Sequence, residues 1–259
     1  MVQLTIIMPA YNEEARIGST LEVYIEFFRA RVLHGDIESF EVIAVLNACK
    51  DDTLGVVQKY QKQYKEIRYL NFKQGGKGFA IIEGFKHARG ELVGFVDADM
   101  ATPPEAFYDL VRKLGNHDGI IANRWSPQSL IKTQQPFSRV ITSRVFNFLV
   151  RGILLMPYRD TQCGCKLFRK KAILVILPWL NITRWAFDID LLYNLRNHGF
   201  SIIDCPTIWE DKKESHLQTL KVSFQMFSAL VRLRLVHSPF SFVIRLYDVL
   251  PELVKVHHR

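Results

Sequence analysis

The apolar residues of this chain come in two rhythms. Short unbroken runs, such as Leu4-Thr5-Ile6-Ile7-Met8, Val42-Ile43-Ala44-Val45-Leu46 and Leu92-Val93-Gly94-Phe95-Val96, have the length and branched character of strands buried on both faces. Between them apolar residues return every three or four positions, as at Ile17, Leu21, Ile25 and Phe28, the period of a helix with one buried stripe. The first half therefore predicts strands at 3–9, 40–46, 67–71, about 91–96 and 119–123, separated by helices. Short links between alternating strands and helices predict an α/β fold with parallel pairing and right-handed crossovers.

Turn residues set the expected boundaries. Pro9 ends the first strand, and Asn12 reads as the cap of a helix with Glu13 and Glu14 in its first turn. Asp51-Asp52-Thr53 caps a second helix, and Gly75-Gly76-Lys77-Gly78 opens a third. Thr102-Pro103-Pro104-Glu105 reads as a helix start, with Thr102 as N-cap, Pro103 at the first helical position and Glu105 closing a capping box.

The pattern changes after Asn123. Residues 137–156 mix Phe146, Phe148, Leu149, Ile153 and Leu154 with Arg139, Arg144 and Arg151, the composition either of a core helix with solvated arginines or of a helix at a membrane interface. Arg159 to Arg169 is turn-like and then strand-like, Arg184 to Asp190 leads a helix to about His198, 200–208 reads as a strand, and 209–216 as a charged loop. Two helical periods follow, at 220–236 and 242–256, the second interrupted by Pro251. The expected division is a domain at 1–217 and an amphipathic, basic helical extension at 218–259, which either packs on the sheet or docks on a membrane surface.

With 259 residues, 48% of them hydrophobic, the chain can bury one large core. No stretch reads as a membrane-spanning helix or a signal peptide. Four cysteines (Cys49, Cys163, Cys165, Cys205) are too few and too irregular for a disulfide framework or a four-ligand zinc site, and the expected compartment is the cytosol. Charge is unevenly placed. Residues 1–119 carry 14 Lys+Arg against 17 Asp+Glu, whereas 120–259 carry 20 against 9, so the second half faces something anionic. A phosphorylated substrate or an anionic membrane fits; no nucleic-acid motif accompanies the charge.

The chemistry is concentrated where the strand at 91–96 stops at Asp97-Ala98-Asp99. Ligands of open α/β sheets bind at such strand ends. Two carboxylates there either form a solvated turn or supply hard oxygen donors for Mg²⁺ or Mn²⁺ beside a diphosphate. Glycines before the helix at Lys77 let backbone amides approach an anion, with Lys77 adding charge; a flexible turn explains the same glycines.

Five segments in order resemble the inverting family 2 glycosyltransferases of GT-A fold: Ile7-Met8-Pro9-Ala10-Tyr11-Asn12-Glu13, Gly76-Lys77-Gly78, Asp97-Ala98-Asp99, Asp160-Thr161-Gln162-Cys163-Gly164 and Arg184-Trp185-Ala186-Phe187-Asp188. Within that family the chain is similar to the dolichyl-phosphate β-glucosyltransferases and, more distantly, the dolichol-phosphate mannosyltransferases. The resemblance implies a Rossmann-like mixed sheet with helices on both faces. It implies that Pro9, Tyr11 and Glu13 hold the nucleoside, that Asp97 contacts nucleotide or sugar and can share the metal, and that Asp99 ligates Mg²⁺ or Mn²⁺. Lys77 would lie near the donor phosphates, Asp160 and Gln162 at the sugar and acceptor, and Arg169 at the acceptor phosphate. Asp188, or Asp190, fills the slot of the catalytic base, where a phosphate acceptor, already anionic, needs orientation more than deprotonation.

The implied reaction moves a hexose, glucose by preference, from a UDP-sugar to a polyprenyl or dolichyl phosphate at the cytosolic face of a membrane. The chain departs from the family pattern in two places. Asn47 stands, at best, where an acidic residue reads the base, which leaves the donor base open, and GDP-mannose is the alternative donor. Ala101 replaces a mannosyl-type Gln, which favours the glucosyl branch. A silent sugar-nucleotide-binding protein docked on membranes is the rival of a different class, and retention of Gln162 and Asp188 argues against it.

Overall fold

The computed structural model describes residues 2–133, 137–180, 186–211, 230–231 and 233–235. Nine strands and seven α-helices are assigned: β1 Leu4–Ala10, α1 Ile17–Leu33, β2 Phe40–Asn47, α2 Thr53–Gln63, β3 Ile67–Phe72, α3 Lys77–His87, β4 Leu92–Val96, α4 Pro104–Lys113, β5 Gly119–Asn123, β6 Leu130–Thr133, α5 Phe137–Leu154, β7 Cys165–Arg169, α6 Lys170–Ile176, α7 Phe187–Asn197, β8 Ile202–Pro206 and β9 Ile208–Glu210.

Seven strands form one sheet in the order β3-β2-β1-β4-β7-β5-β8. The first four pair in parallel, as the apolar runs predicted; β7 runs antiparallel to both β4 and β5, and β8 is parallel to β5. The sheet is thus mixed, and its reversal falls beside the strand that carries the acidic pair. β1 and β2 are buried along their whole length, because helices cover both faces of the parallel part. β6 and β9 form a separate two-stranded ribbon that the charged-loop reading of 209–216 did not anticipate.

The chain divides into two compact units: residues 1–135 with 158–214, and residues 136–157 with 215–259. The first holds every strand and the aromatic core around Tyr24, Phe28 and Phe107. Of the second, α5 and the helical residues 230, 231 and 233–235 are described, with Phe146, Val150, Leu230 and Leu233 buried. The rest of the expected C-terminal helices lies outside the described residues. Among those described, no helix is long and apolar enough to cross a membrane.

Two helix starts differ from expectation. Asn12 does not cap α1; it adopts a left-handed φ of 53° and its side-chain oxygen accepts from Lys50 N at 2.8 Å. Glu13 and Glu14 are likewise spent outside the helix, Glu13 on Arg16 and Glu14 on the Asp52 backbone N–H. Loop-to-loop bonds thus outcompete the local cap, and α1 begins only at Ile17. At α4 the N-cap is Pro103, with Pro104 at the first position and no side-chain cap. Thr102 is buried, and its carbonyl accepts the Tyr24 hydroxyl at 2.7 Å.

Candidate active site

Loops after β1, β2, β3 and β4 gather at the carboxyl edge of the parallel strands. Each contains a residue of positive φ: Asn12, Ala48, Gly76 and Met100. Three of these are not glycine, and backbone strain of that kind collects where side chains must be re-aimed. After β4 the left-handed Met100 turns the chain, and Ala101 N donates to Asp99 Oδ1 at 2.9 Å. Thr20 of α1 donates its hydroxyl to the Ala98 carbonyl at 2.8 Å, which pins the middle of the acidic segment.

The reversal at β7 completes the edge. Because Val96 faces Cys165 in register, the residues before β7 lie against those after β4. Gly164 lies so close to Asp97 that a Cβ on it would fall on the Asp97 carboxylate. Lys77, the first residue of α3, reaches the same carboxylate at 2.5 Å. Burial alone would lower the Lys77 ammonium; the charges of Asp97 and then Asp188 more than offset it and hold the group above its ordinary range. Burial, then the negative charge of Asp97, raises the Asp99 carboxyl. Burial also raises Glu13, against the opposing pull of Arg16, and Asp99 and Asp97 add to the rise. Lys77, Asp97, Asp99, Asp188 and Glu13 therefore sense one another across a single cleft.

Asp188 is 8% exposed and occupies the first turn of α7. Its Oδ1 accepts from Lys166 Nζ at 2.6 Å. The alternative, Asp190, faces inward and accepts from Asn194 Nδ2 at 2.8 Å. Of the two carboxylates the sequence left open, Asp188 is the one at the cleft. Phe187 packs on Gly78, where a Cβ would approach its ring at 2.6 Å, so the start of α7 and the start of α3 touch. Arg184 and Trp185 lie outside the described residues.

Other expected site residues fall elsewhere. Asp160 is fully buried and bound by Arg124, whose Nε and NH2 donate at 2.7 and 2.9 Å. Burial opposes its charge, but Arg124 prevails and holds the carboxyl below its ordinary range. Asp160 thus braces the loop, and Gln162, half-buried, stays in that loop beside Gly164. Asn47 is buried too; its Nδ2 donates to the Ala10 carbonyl at 2.8 Å and its Oδ1 accepts from Gly76 N at 3.0 Å. It stitches the β1, β2 and β3 loops together. Pro9 is inside β1, and Tyr11 is 52% exposed at its exit.

Arg169 lies away from Asp97. It pairs with Leu92, at the opposite end of β4 from Asp97, and donates to the carbonyls of His117 at 3.0 Å and Gly115 at 2.6 Å. The antiparallel course of β7 carries it away from the cleft. Two residues the sequence reading passed over replace it in interest: Arg124, stacked on Trp209 at 5.2 Å while it grips Asp160, and the buried Lys166. A cation inside an otherwise apolar strand segment was the available signal for the second. Cys163 is buried, and that burial pushes its thiol up to about 12, which leaves it a packing residue.

The arrangement offers two hard oxygen donors at Asp97 and Asp99; no cluster of three metal-binding side chains occurs among the described residues. Two carboxylates and a diphosphate are a donor set suited to Mg²⁺ or Mn²⁺. Burial first and then the charge of Asp97 raise Asp99, and a cation between the two carboxylates would offset both, so the residues present fit one.

In sequence and in fold the chain is similar to known proteins. The profile of Glycosyl transferase family 2 matches residues 5–177. A dolichyl-phosphate beta-glucosyltransferase of Dictyostelium discoideum is 34% identical over 242 residues, 90% of this chain and 74% of that protein. The Homo sapiens dolichyl-phosphate beta-glucosyltransferase is 30% identical, covering 90% of this chain and 75% of its own. Among solved structures, glucosyl-3-phosphoglycerate synthase from Mycobacterium tuberculosis, in complex with Mn²⁺, uridine diphosphate and phosphoglyceric acid, superposes with a TM-score of 0.69. That match covers 90% of this chain and 78% of the synthase at 18% identity, a likeness of fold.

Proposed function

Since the chain belongs to glycosyl transferase family 2 and has the GT-A fold, we propose that it transfers a hexose, glucose by preference, from a UDP-sugar to a polyprenyl phosphate at the cytosolic face of a membrane. The observation that carries the reading is the likeness to dolichyl-phosphate beta-glucosyltransferases over 90% of the chain. The convergence of Lys77, Asp97, Asp99 and Asp188 on one sheet edge supports it.

Asp97 and Asp99 would hold Mg²⁺ or Mn²⁺ against the donor diphosphate. That ion, when bound, neutralises charge growing on the nucleoside diphosphate as the glycosidic bond breaks. Lys77 adds a fixed positive charge on the same side of the cleft. Tyr11, Pro9 and Glu13 line the exit of β1, where the nucleoside fits. Asp188 presents an oxygen to the sugar and acceptor side and orients the attacking phosphate, which is already anionic and needs no base. Attack in line with the departing diphosphate passes through an oxocarbenium-like state and inverts the anomeric centre.

The membrane contact belongs to the basic second half of the chain. The test is a donor screen with purified protein, Mg²⁺ or Mn²⁺, a short polyprenyl phosphate and UDP-glucose, UDP-N-acetylglucosamine, UDP-glucuronate or GDP-mannose, read by mass spectrometry of the lipid. A hexosyl-phosphate lipid made from UDP-glucose is the expected product, and the same product made from GDP-mannose alone would replace glucose by mannose. Asp99→Ala should abolish Mn²⁺-dependent UDP binding in a folded protein; unchanged affinity would remove Asp99 from the metal site.

A further inference from the structure

Lys166 has no exposed side-chain surface at all, and it sits on the central strand β7, in register with Phe95 of β4 and Ile121 of β5. An ammonium carries three protons and tolerates burial only when they are directed. Here one goes to Asp188 Oδ1 at 2.6 Å and one to the Cys163 carbonyl at 2.6 Å, while the Phe95 ring lies 5.2 Å from the nitrogen. Each of these partners belongs to a different wall: the first turn of α7, the loop that places Gly164 on Asp97, and the strand that ends in Asp97.

A buried pair of this kind is a poor way to gain stability, because apolar side chains of similar volume do as well or better. What it supplies is direction. With Oδ1 held by Lys166, the Asp188 carboxylate has one fixed orientation, close enough to Lys77 for its charge to help hold that ammonium protonated. The Cys163 carbonyl, held by the same nitrogen, fixes the backbone one residue before Gly164, whose closeness to Asp97 leaves no slack.

We propose that Lys166 is a positioning residue for glycosyl transfer, a single buried ammonium that locks Asp188 and the Asp160–Gly164 loop into one arrangement facing the sugar. The proposal rests on the glycosyltransferase reading of the cleft. Lys166 never reaches substrate; it acts through Asp188, and its effect falls on turnover and on the sugar, not on the nucleotide.

The experiment uses the full chain and two variants, Lys166→Met and Lys166→Arg, the second keeping the charge but displacing the nitrogen. For polyprenyl-phosphate transfer, kcat should fall about 100-fold in Lys166→Met and about 10-fold in Lys166→Arg. Should Lys166→Met not fold, Lys166→Arg alone decides. An acceptor-free measurement runs alongside: Mn²⁺-dependent affinity for UDP should stay constant in Lys166→Arg, while the extra affinity for UDP-glucose over UDP is lost. Parent protein that makes no lipid product from any donor refutes the acceptor assigned above, yet leaves this second readout to judge Lys166. Turnover within threefold of the parent in both variants, or equal loss of UDP and UDP-glucose affinity, overturns the positioning role.

Discussion

Gly164→Ala is the sharpest perturbation the site offers. The added Cβ would land on the Asp97 carboxylate, so Asp97 must leave its rotamer and release Lys77. An off-rotamer side chain costs about 0.5–1.5 kcal/mol. The Lys77–Asp97 pair has side chains 40% and 35% exposed, and solvent screening limits its own contribution to under about 1 kcal/mol. The total, about 1–2 kcal/mol, lowers Tm by about 2–8 °C for a domain of this size. Activity should suffer far more, because an ångström-scale shift of a group that places the donor costs about 100-fold in rate. Differential scanning fluorimetry and donor kinetics on the same preparation separate the two effects. A variant that keeps turnover within twofold of the parent would refute the claim that the Gly164 backbone sets the position of Asp97, and a Tm loss above about 15 °C would show that the glycine is needed for folding instead.

Three other outcomes are expected. Asp160→Asn should destabilise the protein by about 3–5 kcal/mol, since it strands the buried Arg124. Asp160 is held below its ordinary value of 3.8, so its contribution is complete above that pH and is lost as pH falls through the lower folded-state value. The Tm gap between parent and variant should therefore be full at pH 7 and close in strong acid; a constant gap would contradict an ionised pair. Arg169→Ala should cost about 1–2 kcal/mol through its two carbonyl contacts and leave donor and acceptor KM unchanged, whereas a raised acceptor KM would return Arg169 to the cleft. The full chain should pellet with anionic liposomes at low salt and lose that property when residues 218–259 are deleted; equal pelleting of the shortened form would move the contact to another basic segment.

The parallel half was legible because its strands are uninterrupted apolar runs, and Asp97 and Asp99 declared themselves by ending one of them. What was illegible depended on pairs far apart in the chain. Nothing local in Cys165-Lys166-Leu167-Phe168-Arg169 tells that β7 opposes β4, and with that direction unknown the end of the sheet at which Arg169 lies could not be read. The same blindness hid Lys166, whose partner Asp188 comes 22 positions later. Asn12 looked like a cap because cap chemistry is read over three residues, while its actual partner, Lys50, is 38 away. Asn47, singled out as a departure from the family pattern, and Asp160, expected at the sugar and acceptor, both turn their side chains inward to brace loops.

Arg124 and Asp160 lie 36 positions apart yet share a buried two-pronged bond, so the stretch of chain between them, β6 included, starts and ends at one buried contact. Segment 136–157, which groups with the second compact unit, lies within that stretch. Loop-closure entropy rises only with the logarithm of length, about 0.6 kcal/mol per doubling. Changes in the length of that segment should therefore cost little stability, because the Arg124–Asp160 contact holds both ends of the stretch. A stretch tied off in this way can vary in length and sequence while the contact at its two ends stays as it was.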